Sequence, residues 1–123
     1  MLKINWKSIP DELYLNENEV HIFYTQINSA KENVPVLKTF LSGEEKRKVS
    51  GYIFEKDRIT RTISRGVLRS ILSRYLTIKP EDIVILSNEY GKPFLDKKIN
   101  RQEIRFNLSH SGDFIIYAVT SGK

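Results

Sequence analysis

Residues Glu55–Leu76 read EKDRITRTISRGVLRSILSRYL, a long stretch with no proline and a single glycine, Gly66. Ile59, Ile63, Val67, Ile71 and Tyr75 recur at every fourth position, the spacing that lays one apolar stripe along a helix. Just upstream, Ser42-Gly43-Glu44-Glu45 has the form of a helix start, with a serine N-cap, a glutamate three residues on and acid in the first turn. The spacing predicts a short helix from Glu44, a bend near Gly51, and a long helix from Glu55 to Leu76. Lys79-Pro80 stops it, because the residue before a proline is pushed out of the helical region.

Outward from this helix the chain reads as strands and turns. Val20–Ile27 is rich in β-branched and aromatic residues and is predicted to be a strand, while Val34–Leu41 is a helical turn after Pro35. The branched residues of Ile83-Val84-Ile85-Leu86 predict a buried strand. Asn88-Glu89-Tyr90-Gly91-Lys92-Pro93 is a turn. Ile104–Leu108 alternates apolar with polar and Asp113–Thr120 is apolar and aromatic, so both are predicted strands. Ser109-His110-Ser111-Gly112 is expected to be a four-residue polar loop between them. The expected class is α+β, a small antiparallel sheet packed against a long helix, with residues 1–123 forming one domain.

Composition narrows the chemistry. At 123 residues with 40% hydrophobic and 28% charged, the chain suits one globular domain. Zero cysteines exclude disulfides, thiolate metal sites and a cysteine nucleophile. The only histidines are His21 and His110, too few for a multi-histidine zinc site. No export signal is visible, and the longest apolar run, Phe114–Val119, is far short of the roughly 20 residues that span a bilayer. The expected setting is soluble and cytoplasmic. An excess of 20 Lys+Arg over 15 Asp+Glu points to an anionic partner, whether a phosphorylated cofactor, an acidic protein or nucleic acid.

Three segments can carry chemistry. Arg58, Arg61, Thr62, Arg65 and Arg69 fall within an arc of roughly 100° on the long helix, largely opposite its apolar stripe. Such a face offers forked guanidinium donors and a hydroxyl to phosphate oxygens, or it is a solvated face paired with acids elsewhere. In Tyr90-Gly91-Lys92-Pro93 the glycine allows close backbone approach to a ligand and the lysine reaches a phosphate as a point charge; the same residues also make an ordinary turn. In Asn107-Leu108-Ser109-His110-Ser111-Gly112, a serine nucleophile with an adjacent histidine base is rejected, because neighbours on an extended chain point to opposite sides. Anion capture by hydroxyls, loop N–H groups and an imidazolium fits better, beside the alternative of a plain hairpin turn. His21, within an apolar strand, reads as a satisfied structural histidine. No phosphate-binding glycine loop and no metal-spaced acid cluster occurs, and no residue stands out as catalytic.

Taken in order, these segments resemble the surfactin-synthetase-activating type of 4′-phosphopantetheinyl transferase. The resemblance rests on Gly43-Glu44-Glu45-Lys46-Arg47, on Phe54, Asp57, Arg58, Arg61 and Thr62, and on Arg69 and Leu72. It continues through Glu89-Tyr90-Gly91-Lys92-Pro93 and Phe106-Asn107-Leu108-Ser109-His110-Ser111-Gly112. It implies transfer of the phosphopantetheine arm of coenzyme A to a serine of an acyl or peptidyl carrier protein, with magnesium, in fatty-acid, polyketide or nonribosomal-peptide synthesis. It further implies that Lys46, Arg61 and Thr62 surround the 3′-phosphate. Tyr90, Gly91, Lys92, Pro93, Phe94 and Leu95 would form the adenine-side loop, and Ser109, His110 and Ser111 would meet the phosphates. One departure is that Val49, with Lys48 beside it, stands where many relatives carry a second lysine.

Members of that family are pseudo-dimers of two similar halves. The acids that hold their magnesium follow the strand equivalent to Asp113–Thr120, outside residues 1–123. The chain is therefore expected to be the N-terminal, coenzyme A-binding half, catalytically incomplete alone, pairing with its C-terminal half or with itself. The rival expectations are a basic nucleic-acid-binding module, disfavoured because no run of exposed aromatics is predicted for base stacking, and a non-catalytic interaction half-domain.

Overall fold

The computed structural model describes residues 2–122 and consists of one four-stranded sheet, a two-stranded hairpin and a helical layer. The elements are β1 Leu2–Asn5, β2 Val20–Gln26, α1 Ile27–Ala30, α2 Val34–Thr39, α3 Gly43–Ser50, α4 Glu55–Leu76, β3 Ile85–Ser87, β4 Pro93–Leu95, β5 Ile104–Ser111 and β6 Phe114–Ser121. Both long-helix boundaries match the pattern reading. Ser42 and Glu45 form a reciprocal capping box, with the Ser42 hydroxyl accepting from Glu45 N and the Glu45 carboxylate accepting from Ser42 N. α4 ends at Thr77, which adopts a left-handed φ of 56°, one turn before the proline that the sequence suggested as the stop.

The large sheet runs β1-β2-β6-β5, antiparallel over β2, β6 and β5, with β1 joining parallel to β2. β1 has no sequence signal, since four residues are too few to establish a period. One face of the sheet carries Phe23, Ile115, Tyr117 and Val119 against Ile63, Val67, Ile71 and Tyr75 of α4, and all of these are buried. At about 25 cal/mol per Å² of apolar surface, this interface is the main stabilising contact. The Tyr117 hydroxyl donates to Ser64 O at 2.9 Å, and burial pushes its pKa well above the phenol range. His21 behaves as the sequence implied: it is buried, stacks on Tyr75 at 5.8 Å and shares a hydrogen bond with the Tyr75 hydroxyl.

α2 lies close against α4 at Gly66. A Cβ there would stand 2.8 Å from Leu37 Cβ and 2.9 Å from Leu37 O, so only glycine allows this approach.

Two strand expectations need correction. The segment 83–86 is not a buried strand: Ile83 alone is buried, Val84 and Leu86 are exposed, and pairing starts at Ile85 in the β3-β4 hairpin. A run of branched residues cannot show that only one of its faces has a partner. The polar loop is also shorter than expected. Ser109, His110 and Ser111 continue β5 in register with β6, and the turn is only Gly112-Asp113. Gly112 has φ +59°, and glycine at the first of two turn positions is the type II′ hairpin choice.

Candidate functional site

The arginine face of α4 is partly closed. Arg69 is 2% exposed; its Nε donates to Glu45 Oε1 at 2.6 Å, and its Nη1 donates to the carbonyls of Pro80 and Ile83 at 2.9 and 2.7 Å. Arg65 Nε lies 3.2 Å from Glu45 Oε2. Arg58 turns back to hold the Tyr52 and Ile53 carbonyls. Thr62 is buried at 3%, so the expectation that it belongs to an open face with Arg69 is corrected: an arc of roughly 100° is wide enough for its edges to be covered by α3 and the segment 80–83. One carboxylate, Glu45, thus fastens α3 to α4 and leaves Arg61 outermost. Burial lowers the Arg65 pKa; Glu45 opposes that shift, and Arg61 and Arg69 add to it.

A cavity of about 430 Å³ opens beside Arg61 and Arg65. Its second wall is the turn Gly91-Lys92-Pro93 and its third is β5 from Phe106 to His110. The turn is built by Asn88, whose Oδ1 accepts from Tyr90 N and Lys92 N, both at 2.9 Å. Gly91 has φ +81°, a conformation an L side chain would strain. The turn therefore holds Lys92 on the cavity. Three cationic side chains and the His110 imidazole converge here from segments far apart in sequence. Forked guanidinium donors and a lysine point charge are the groups whose chemistry suits an anion with several phosphate oxygens.

A smaller cavity of about 50 Å³ adjoins it, lined by Ser42, Glu45, Lys48, Arg61, Arg65 and Ser87 among others. Arg61 and Arg65 border both. Lys48 borders the smaller one and Lys46 borders neither. At about 100° per residue, Lys48 lies some 60° from Glu45 on the side of the smaller cavity, while Lys46 lies 100° the other way. The sequence reading missed Lys48 and Ser64 as lining residues; counting around α3 from the capping glutamate would have found Lys48.

The other expected positions divide. Tyr90 points to solvent at 86% exposure and Leu95 is in the core. Phe94 faces a broad depression of about 1180 Å³ on the far side of the hairpin, with Lys92, Arg101 and Arg105. Along β5 the alternation places His110 on the α4 face with Ile115, and Ser109 and Ser111 on the opposite face with Ile116 and Phe114. Ser109 still borders the cavity from the strand edge, whereas Ser111 does not. Among the described residues no group of three His, Asp or Glu side chains is placed to hold a metal ion.

A family model described as 4′-phosphopantetheinyl transferase, N-terminal, matches residues 26–122. The chain belongs to that family. The match takes in all three walls of the cavity. 4′-Phosphopantetheinyl transferase HetI from Nostoc sp. is 32% identical over 119 residues, covering 97% of this chain and 50% of the relative. The transferase gsp from Aneurinibacillus migulanus is 31% identical over 86% of this chain and 38% of the relative. Sfp from Bacillus subtilis is 30% identical over 68% and 36%. The chain thus spans half or less of the length of these curated relatives.

Among solved structures, the holo-[acyl-carrier-protein] synthase of Helicobacter pylori, determined in complex with coenzyme A, matches with a TM-score of 0.60. It is 21% identical, and the match covers 85% of this chain and all of that one. The apo-ACPS of Chronobacterium ammoiniagenes also matches at 0.60, with 13% identity over 82% and 93% of the two chains. These likenesses establish the fold: one α+β unit with a long helix on a small sheet. Among the described residues no helix is long and apolar enough to cross a membrane.

Proposed function

We propose that this chain supplies the coenzyme A-binding half of an enzyme that moves the 4′-phosphopantetheine arm of coenzyme A onto a serine of an acyl or peptidyl carrier protein. The observation that carries this is the convergence of Arg61, Lys92 and His110 on one cavity, from the three segments of the family match. Arg61 sits between the two cavities and serves a terminal phosphate in one and the pyrophosphate in the other. Lys92 and His110 hold charge that builds on the leaving bisphosphate, a role that needs only position and cationic character. Lys48, beside Arg61 and Arg65 at the smaller cavity, completes the 3′-phosphate surroundings, whereas Lys46 and the buried Thr62 border neither cavity.

Magnesium, which the family resemblance implies, would be held by acids of a second half. That half covers the sheet face away from α4, where Ile22, Tyr24, Phe114, Ile116 and Ala118 form an apolar surface on which no helix of the described residues lies. Carrier proteins of fatty-acid, polyketide or nonribosomal-peptide synthesis are the acceptors, and the cytoplasm is the place of action.

The test is titration calorimetry with coenzyme A and 3′-dephospho-coenzyme A, on this chain and on the chain reassembled with a C-terminal half from a relative. Coenzyme A should bind roughly 10-fold or more tighter, since a charge-assisted hydrogen bond contributes about 1.5–3 kcal/mol. Carrier loading should appear only in the reassembled pair. Equal affinities would overturn the 3′-phosphate assignment, and loading by this chain alone would overturn the division of labour.

A further inference from the structure

The depression of about 1180 Å³ that Phe94 borders lies between β4, the segment 96–103 and the start of β5. Lys92, Lys97, Arg101 and Arg105 line it, against one acid among the described residues, Glu103. All four cations are exposed, and among the described residues none of their side chains makes an ion pair or a hydrogen bond. The arginines of α4 differ. Arg58, Arg65, Arg69 and Arg74 each engage a carboxylate or a carbonyl of this chain.

The segment 96–103 is neither helix nor strand, yet its side chains hold it in place. Lys98 N donates to Asp96 Oδ1 at 3.0 Å. Asn100 Nδ2 donates to Ile104 O at 2.9 Å, and Asn100 Oδ1 accepts from Ile104 N at 2.8 Å. Asp96 N donates to Val84 O at 3.2 Å, which ties the segment to the hairpin. Arg105 lies against the main chain of Gly122, where a Cβ would stand 2.9 Å from Arg105 Nε. The cations are thus carried on an ordered frame, which lowers the entropy lost when a partner docks.

Phe94 is 43% exposed and stands opposite the exposed Leu86 in the β3-β4 register, so the cations surround an apolar spot. That combination is complementary to an acidic protein face carrying an apolar side chain. Nucleic acid fits less well, because stacking of successive bases needs several exposed aromatics. Among the described residues Phe94 is the only exposed aromatic that lines the depression. Lys92, Pro93, Phe106 and Asn107 line both this depression and the 430 Å³ cavity. A protein seated here therefore lies next to whatever the cavity holds.

We propose that the depression docks the acceptor protein, through an acidic face that sets an apolar side chain against Phe94. The inference rests on the transferase reading above and adds the side from which the acceptor approaches.

Lys97 and Arg101 line the depression and not the cavity, so the double variant Lys97→Glu, Arg101→Glu alters the docking face alone. Lys31→Glu, Lys56→Glu makes the same change in net charge beside the start of α4 and is the control. Fluorescein-labelled apo acyl carrier protein, apo peptidyl carrier protein and a single-stranded DNA oligonucleotide are titrated against the unaltered chain and both variants by anisotropy. Coenzyme A binding is followed alongside by calorimetry. The unaltered chain should bind one of the carriers, more weakly as salt is raised. Lys97→Glu, Arg101→Glu should weaken that binding roughly 10-fold or more, because like charges then face each other, and should leave coenzyme A affinity unchanged. The control should stay within about 2-fold, since distant exposed charges are screened.

Equal losses in the two variants would reduce the effect to net charge and overturn the docking site. Tighter binding of the DNA than of either carrier overturns it as well, as does a chain that binds coenzyme A but no carrier. A chain that binds neither coenzyme A nor a carrier overturns the transferase reading itself.

Discussion

Arg69→Met tests whether the guanidinium under the site is structural. Methionine keeps much of the length and apolar stem of the side chain and removes three hydrogen bonds at 2.6, 2.9 and 2.7 Å. Glu45 keeps Ser42 N at 2.9 Å and Arg65 at 3.2 Å, so its carboxylate is not abandoned. Pro80 O keeps its hydrogen bond from Ile83 N at 3.4 Å, whereas the Ile83 carbonyl loses its Arg69 partner at a position that is 2% exposed, where water does not readily replace it. An orphaned acceptor costs about 1–3 kcal/mol, and breaking a buried charge pair typically costs about 3–5 kcal/mol in total. Freedom from desolvating the guanidinium returns part of that, leaving a net loss of about 3 kcal/mol. For a domain of this size, such a loss lowers Tm by roughly 10 °C. Urea unfolding followed by circular dichroism should show a lower midpoint with an unchanged slope. A loss below about 1 kcal/mol would refute the idea that Arg69 and Glu45 fasten α3 and the segment 80–83 to α4.

Gly66→Ala should destabilise by up to about 2 kcal/mol despite alanine's better helix propensity, because overpacking against Leu37 costs about 1–3 kcal/mol and the propensity gain is about 1; thermal unfolding reads this directly. Burial raises the pKa of Tyr75 and Tyr117 above the ordinary phenol value of 10.0. Their contribution is therefore complete below pH 10 and is lost as pH rises beyond it, at roughly 1.4 kcal/mol per unit for each phenol, and Tyr117→Phe should flatten that fall in an alkaline denaturation series. Lys92→Ala and His110→Ala should each weaken coenzyme A binding roughly 10-fold by calorimetry, with unfolding temperatures unchanged. Sedimentation velocity of the isolated chain should show self-association, which the double variant Tyr24→Lys, Phe114→Lys suppresses by charging the open sheet face.

Legibility in the sequence followed the range of the interactions. α4 was readable because its stripe repeats within one element, and the capping box because Ser42 and Glu45 are three residues apart. The Asn88–Pro93 turn was readable because glycine and proline act locally. What closes the arginine face was not, because Glu45 and Arg69 are 24 residues apart and no local pattern pairs them. For the same reason Thr62 read as open and Ile83–Leu86 as buried. At the site, residue types along Ser109–Ser111 suggested shared duty, and the strand register then divided them between two faces. Lys48 was within reach of helical counting.

The cavity walls at 61–65, 91–93 and 106–110 come together only when the helix, the hairpin and the sheet edge are all in place. A ligand held there binds the complete fold and nothing smaller. Its binding energy is therefore added to the whole unfolding transition: about 2.7 kcal/mol at a ligand concentration 100 times Kd. Melting temperature becomes a reporter of occupancy at the site, usable on unlabelled protein and blind to whether any transfer follows. Candidate phosphorylated ligands can then be ranked by the heat the chain withstands in their presence.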